Sequence, residues 1–349
     1  MQLGFDDINM RLGKTLVLEH FNLRIAPGES VALLGTSGSG KTTALRIAAG
    51  FLKPDRGRVS LGRHDITDWP PERRRMALIH QQFLLFPHLT VAENIVFGMA
   101  YHGVAPDARD GRVASLLARL GLDGLERRYP HELSGGQQQR VAIARALAVA
   151  PSVLLLDEPL NNLDSSNREL LLQELRSLQR EAGMSMLYVT HDWAEALRIA
   201  DRLALLDRGR ILQTGPFEEV LARPASLEVA RLFGARNIFR GETEGAVLHI
   251  PELDLHLDRA VPIPGPVCIY LPSDALRLGP TSDGRLGMKG QVEAIIPDTL
   301  VSRLRIRSGN GILELVATRP DLLEAGAQVG SVVNYSFDMK DVHVLPEAP

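Results

Sequence analysis

The chain has 349 residues, 45% hydrophobic and 23% charged, enough for two or three domains that each bury a core of their own. Its formal net charge of −3 argues against nucleic acid as a principal partner, and the single cysteine, Cys268, excludes an intramolecular disulfide and suits a reducing compartment. No stretch approaches the ~18 apolar residues of a membrane span, and Met1 to Asp7 have neither the basic start nor the apolar run of a signal peptide, so work at a membrane would need spans from another chain.

Residues 1–30 alternate in short strand-like runs, for instance Phe21 to Ile25 before the Pro27-Gly28 turn, and predict a β layer. The apolar run Val31 to Leu34 then reads as a buried strand, and Ala44 to Ala49 as a helix closed by Gly50. Between them stands Gly35-Thr36-Ser37-Gly38-Ser39-Gly40-Lys41-Thr42-Thr43, the pattern G-x-x-x-x-G-K-[ST]. Its glycines let the loop curl so that successive N–H groups face phosphate oxygens. Lys41 can reach the β- and γ-phosphates, and the Thr42 hydroxyl can ligate Mg²⁺.

Gly57 to Gly62 and Met76 to Ile79 predict two further strands, the second ending at His80-Gln81-Gln82. The basic run Arg73-Arg74-Arg75 is expected on a solvated face. From about residue 88 to 150 the pattern is helical. Val113, Leu116, Leu117 and Leu120 repeat at i, i+3, i+4, i+7 as core positions, with Gly121 as a stop. Leu133-Ser134-Gly135-Gly136-Gln137-Gln138-Gln139-Arg140 opens another helix, with Ser134 at the N-cap position and an anion-favouring start.

Val153 to Leu156 reads as a strand buried on both faces that delivers Asp157-Glu158 at its carboxyl end, where open α/β sheets bind ligands. Beside a phosphate loop, Asp157 is placed to hold Mg²⁺ through water and Glu158 to orient and deprotonate an attacking water. A helix with Leu171, Leu175, Leu178 and Ala182 on one face ends at Gly183. The next buried strand, Met186 to Val189, delivers His191 as a γ-phosphate contact. Asp207-Arg208-Gly209-Arg210 is a hairpin signal, and residues 216–235 are helical in pattern.

Beyond Asn237 the composition shifts to Pro-interrupted strand-like runs and predicts a separate small β domain. The Asn310-Gly311 pair predicts a tight turn there. Arg303, Arg305 and Arg307 fall on one face of a strand, expected in solvent, with an anion site as the alternative.

Leu133 to Arg140, together with Gln81, Asp157-Glu158 and His191 in this order, resembles the ATP-binding cassette family over residues 1–235. The resemblance implies an α/β P-loop NTPase with a RecA-like core, a β layer and a helical subdomain at about 88–150. It also implies an ATPase that binds ATP and Mg²⁺ and works as a homodimer or paired with a similar cassette. Ser134, Gly135, Gly136 and Gln137 would meet a γ-phosphate in trans, Asp164 would couple the two sites, and Gln81 would ligate Mg²⁺ and link to a membrane partner. Asn161 stands where the family often carries Ser, and is expected to bond across the dimer.

Phe86 to Ile95 is similar to importer cassettes, under a permease fed by an extracytoplasmic solute-binding protein, on the cytoplasmic face of the membrane. Residues 236–349 resemble the oligonucleotide-fold (TOBE) modules of such importers, although Leu271 and Ser273 depart from the usual Arg-Pro-Glu. Gly234 to Asn237 and the arginine-faced strand point to a molybdate-like oxyanion as solute, with ferric iron, polyamines and sugars open. The family stacks adenine on an aromatic ring where this chain has Leu12. Such stacking is worth roughly 1–3 kcal/mol, so base discrimination is expected to be poor unless Phe5 serves instead.

Overall fold

A computed structural model describes residues 1–80, 84–161, 165–258, 265–281 and 284–346. The chain divides into two compact units, residues 1–217 and 218–349. In the first unit, β1 (Leu3–Leu12) and β2 (Thr15–Ile25) form an antiparallel hairpin. Next come β3 (Ser30–Gly35), α1 (Lys41–Ala49), β4 (Arg56–Leu61) and the short β5 (His64–Asp65). The hairpin, β4 and β5 make one antiparallel sheet in the order β2-β1-β4-β5.

β6 (Met76–Ile79) is followed by the helical stretch α2 (Val91–Val96), α3 (Pro106–Arg119) and α4 (Gly135–Ala148). After it the chain alternates through β7 (Val153–Asp157), α5 (Ser165–Ala182), β8 (Ser185–Thr190), α6 (Trp193–Ile199), β9 (Arg202–Asp207) and β10 (Arg210–Gly215). The central sheet runs β10-β9-β3-β8-β7-β6 and is parallel apart from the β9–β10 hairpin. β7 and β8 are buried along their whole length, as the apolar runs require of strands covered on both faces.

Strand alternation divides the core. Leu154, Leu156, Met186 and Tyr188 pack with the helices α2 to α5, whereas Val153, Leu155, Leu187 and Val189 pack with α1 and the antiparallel sheet. Helix α1 therefore shares one core with both sheets, which fixes the loop that precedes it. Gly50, at φ 85°, closes α1 by donating to Arg46 O and Ile47 O, and Gly183, at φ 59°, follows α5. On α5, Leu171, Leu175 and Leu178 are buried, whereas Ala182 is exposed because the helix's last turn runs past the core.

The basic run after β5 departs from expectation. Arg73 and Arg75 are exposed, but Arg74 is only 2% exposed. Its guanidinium donates to Trp69 O (2.8 Å), Thr67 O (3.0 Å), Ile47 O (2.7 Å) and Ala48 O (2.8 Å). The last two are carbonyls of the final turn of α1, where a cation is favoured by the unpaired C=O groups. Burial lowers the Arg74 pKa, opposed by the charge of Asp68.

In the second part of the chain Pro224 splits the expected helix into α7 (Phe217–Ala222) and α8 (Leu227–Leu232). Ala230 on α8 packs with Cys268, Tyr270 and Leu345, which groups α8 with the strands that follow. Those strands are β11 (Ile238–Glu244), β12 (Val247–Ile250), β13 (Leu255–Asp258), β14 (Gly265–Tyr270), β15 (Arg277–Leu278), β16 (Leu286–Pro297), β17 (Val301–Ser308) and β18 (Gly311–Thr318). A short helix α9 (Arg319–Glu324), β19 (Val332–Phe337) and β20 (His343–Pro346) complete the unit. Two antiparallel sheets, β13-β12-β11-β14-β20 and β15-β19-β16-β17-β18, contribute to one apolar core. The β17–β18 turn sits one residue earlier than expected: Ser308 pairs with Gly311, so Gly309-Asn310 is the two-residue loop, with Gly309 at φ 58°.

Replacing Arg74 by Ala strips those carbonyls of their donors and is expected to destabilise the first unit by about 2–4 kcal/mol. The check is the midpoint of its thermal transition, with Arg74→Lys recovering part of the loss.

Candidate functional site

The loop at residues 35–43 joins the end of β3 to the start of α1, and only glycine fits its tightest points. A Cβ on Gly40 would lie 2.8 Å from both Val17 O and Leu18 Cδ2, and one on Gly35 would run into Leu206 O and the Ser39 hydroxyl. Gly38 and Gly40 also sit at φ 81° and 110°, conformations L side chains rarely adopt. Gly40 is the N-cap of α1 and offers no side-chain cap to the first turn, so the helix start presents backbone N–H groups of the kind that cradle anions. Lys41 is 6% exposed, and its Nζ donates at 2.9 Å to both Gly35 O and Thr36 O. Burial lowers the Lys41 pKa while the charges of Glu158 and Asp157 oppose that shift.

Two adjacent acids leave β7 in different directions. Asp157 accepts from Thr42 Oγ1 (3.1 Å), and burial raises its pKa against that bond. A hydroxyl and a carboxylate side by side are hard oxygen donors that fit Mg²⁺ in their chemistry. Among the described residues no group of three acidic, His or Cys side chains forms a protein-only metal cage. Such a cation would thus take its other ligands from phosphate and water, as Mg²⁺ commonly does.

Glu158 has φ 46°, the left-handed region that a long side chain normally avoids, and its N–H is tied to Val189 O of β8 (3.0 Å). Its carboxylate meets His191 Nδ1 at 3.4 Å and accepts from Asn161 Nδ2. The His191 side chain is 59% exposed at the end of β8. β3, β7 and β8 therefore bring Lys41, Thr42, Asp157, Glu158 and His191 to one edge of the parallel sheet, as the motif spacing predicts.

Ser134 caps α4, with its Oγ accepting from Gln137 N (3.3 Å) while Gln137 Oε1 accepts from Ser134 N (3.0 Å). Ser134 and Gly135 are exposed, and Gly136 and Gln137 half-buried. Within the chain no hydrogen bond or ion pair among the described residues joins these four to the cluster around Lys41. Gln81 and Asp164 lie outside the described residues.

Phe5 is packed edge-on to Phe21 (centroids 5.2 Å apart) and 1% exposed, so it offers no face to a base, whereas Leu12 is 47% exposed. The bond from Asn161 to Glu158 within the chain was not legible beforehand; the only hint is an amide three residues beyond the acid. His80, also missed as a neighbour of the acids, has its pKa lowered by burial against the charge of Asp157.

A family model described as "ABC transporter" matches residues 18–161. The molybdate/tungstate import ATP-binding protein WtpC of Pyrococcus horikoshii is 39% identical over 94% of this chain and 96% of that protein. An Fe(3+) ions import ATP-binding protein, FbpC 1 of Haemophilus influenzae, is 40% identical over 71% of this chain and 76% of its own. A dimeric ATP-binding cassette solved in a post-hydrolysis state with ADP and Pi superposes with a TM-score of 0.57 at 33% identity, covering 61% of this chain and 98% of that one. With the phosphate loop, the paired acids of β7 and the capped α4 in place, likeness along nearly the whole length shows that the chain belongs to the ABC transporter family, among its import ATP-binding proteins.

Proposed function

We propose that the chain hydrolyses ATP at the cluster of Lys41, Thr42, Asp157, Glu158 and His191, and that this drives import through partner membrane subunits. The observation that carries the proposal is Glu158: a strained backbone aims its carboxylate between His191 and Asn161, beside the glycine loop. Backbone N–H groups of residues 35–43 hold the phosphates, and Lys41 exchanges its two carbonyl partners for phosphate oxygens. Asp157 and Thr42 hold Mg²⁺, which when bound neutralises charge on the phosphates. Glu158 accepts the proton of the attacking water, Asn161 fixes the rotation of its carboxylate, and His191 donates to the γ-phosphate.

Ser134 to Gln137 then serve a second copy: their exposed helix start complements a γ-phosphate held by the partner. Dimeric assembly of the structural relative supports that arrangement. Gln81 as a Mg²⁺ ligand and Asp164 as the coupling residue remain part of the reading.

A cavity of about 440 Å³ between β6 and the helical stretch is lined by Ile79, Leu84, Phe86, Phe97, Ala142 and Arg145. Phe86 and Phe97 lie 4.3 Å apart at their centroids, and Leu84 and Phe97 keep 57% and 47% of their surface exposed. This apolar hollow suits a short helix of a permease, and no helix of the chain is itself long and apolar enough to cross a membrane among the described residues. The protein then works on the cytoplasmic face, below a permease supplied by a solute-binding protein. The relative similar along the whole chain supports molybdate or tungstate as the solute, ahead of ferric iron.

Glu158→Gln is expected to lower turnover by about 10²–10⁴ while ATP binding persists; near-wild-type hydrolysis would remove Glu158 from the role of base. Competition titration is expected to show GTP displacing ATP with less than about tenfold weaker affinity, because no ring stands at Leu12. Phe97→Asp is expected to abolish co-purification with the permease and leave hydrolysis by the isolated chain unchanged. Retention of the permease would move the docking site elsewhere.

A further inference from the structure

His191 is aimed from behind, by its neighbours in the chain. Its imidazole meets Glu158 at 3.4 Å and 59% of the side chain is exposed, so the direction of the ring is set by the backbone on either side. Both sides are tied to one buried side chain, Glu195 of α6, which is 2% exposed. Ahead of His191, Thr190 Oγ1 donates to Glu195 Oε2 (2.8 Å). Beyond it, the Asp192 N–H donates back to the same Thr190 oxygen (3.0 Å), so that the single proton of the hydroxyl is left for Glu195.

Tyr188, two residues earlier on β8, donates its O–H to the same Glu195 oxygen (2.9 Å). Burial, and then the charge of Glu195, raise the Tyr188 pKa well above the ordinary phenol range, so that this hydroxyl remains a donor. Arg168 on α5 supplies the balancing charge: its Nε lies 3.6 Å from Glu195 Oε1 and its Nη1 3.4 Å from Asp192 Oδ2. Asp192 in turn caps α6, with Oδ1 accepting from Ala194 N (2.7 Å) and Glu195 N (3.3 Å). Burying a carboxylate costs desolvation that apolar packing would avoid, so stability is a poor reason for an acid at this place. What Glu195 contributes is direction: two hydroxyls at the end of one strand and the peptide after His191 are held in a single arrangement.

We infer that Glu195, acting through Thr190, is a positioning residue that holds His191 where it can donate to the γ-phosphate. This role rests on the reading of His191 given above. Loss of the Thr190 hydroxyl then slows hydrolysis by the same route as loss of the imidazole, and leaves ATP binding in place.

Steady-state ATP hydrolysis by the full-length chain tests this in Thr190→Val, Thr190→Ser, Glu195→Gln and His191→Ala, and in Thr190→Val combined with His191→Ala. Unfolding midpoints verify that each variant is folded, and valine keeps the shape of the fully buried Thr190. Thr190→Val is expected to lower kcat by about 10–10², with KM for ATP changed less than about threefold, because misplacing a reacting group by ~1 Å costs on that order. Glu195→Gln is expected to lower kcat as well, whereas Thr190→Ser, which keeps the hydroxyl, stays within about threefold of wild type. His191→Ala is expected to be at least as slow as Thr190→Val, and the double variant no slower than His191→Ala alone. A general structural role for Thr190 would instead add its own loss. The inference is overturned if the two losses multiply, if Thr190→Ser is as slow as Thr190→Val, or if Thr190→Val and Glu195→Gln keep wild-type kcat while His191→Ala does not. Wild-type kcat in His191→Ala is the distinct outcome that removes His191 from the γ-phosphate, and the inference falls with that reading.

Discussion

Close backbone approach at Gly35 and Gly40 is the constraint on which the rest of the site depends. At these points the loop lies so near Leu206 and Val17 that a single methyl group would not fit. The contact ties the phosphate loop to β9 on one side and to the antiparallel sheet on the other, while α1 behind it is buried in the core shared by both sheets. Because α1 is capped at its far end by Gly50 and by the guanidinium of Arg74, the helix cannot slide to relieve a change at the loop. Rigidity here is what electrostatic preorganisation requires: donors already aimed, with no reorganisation at the moment of reaction.

Much of this was readable in the residues. Three strands of the parallel sheet, β3, β7 and β8, announced themselves by apolar runs too continuous for half-exposed strands, and each delivered polar residues at its carboxyl end: the glycine loop after β3, Asp157-Glu158 with β7, His191 after β8. Local chemistry also predicted Ser134 as a cap and Gly50 and Gly183 as stops. The family resemblance supplied what periodicity cannot, namely the expectation that exposed residues of α4 serve a second chain.

What escaped the sequence was decided by tertiary neighbours. Nothing in Arg73-Arg74-Arg75 distinguishes the middle arginine; its burial follows from carbonyls of α1, 26 and 27 residues away. The bond of Asn161 to Glu158 depends on the turn that follows the acid and brings the amide back beside it within the chain. The turn before β18 slipped by one residue because Gly309 and Gly311 both tolerate a tight loop, and pairing of Ser308 with Gly311 selects between them. On β17 Arg305 and Arg307 are exposed as expected, with Arg307 paired to Glu293; only Arg303 is half-buried, and only its Nε–H is shut away from solvent.

One contact of α4 reaches further than its packing suggests. Gln139, fully buried on α4 two residues beyond Gln137, donates to Pro159 O, the carbonyl that directly follows Glu158. Any tilt of α4 is therefore transmitted through a single amide to the peptide that follows Glu158. By linkage the reverse holds with the same free energy: whatever favours one orientation of Glu158 favours one orientation of the helix. Helix α4 and the turn that carries Glu158 are thereby joined side chain to backbone, with no further element between them.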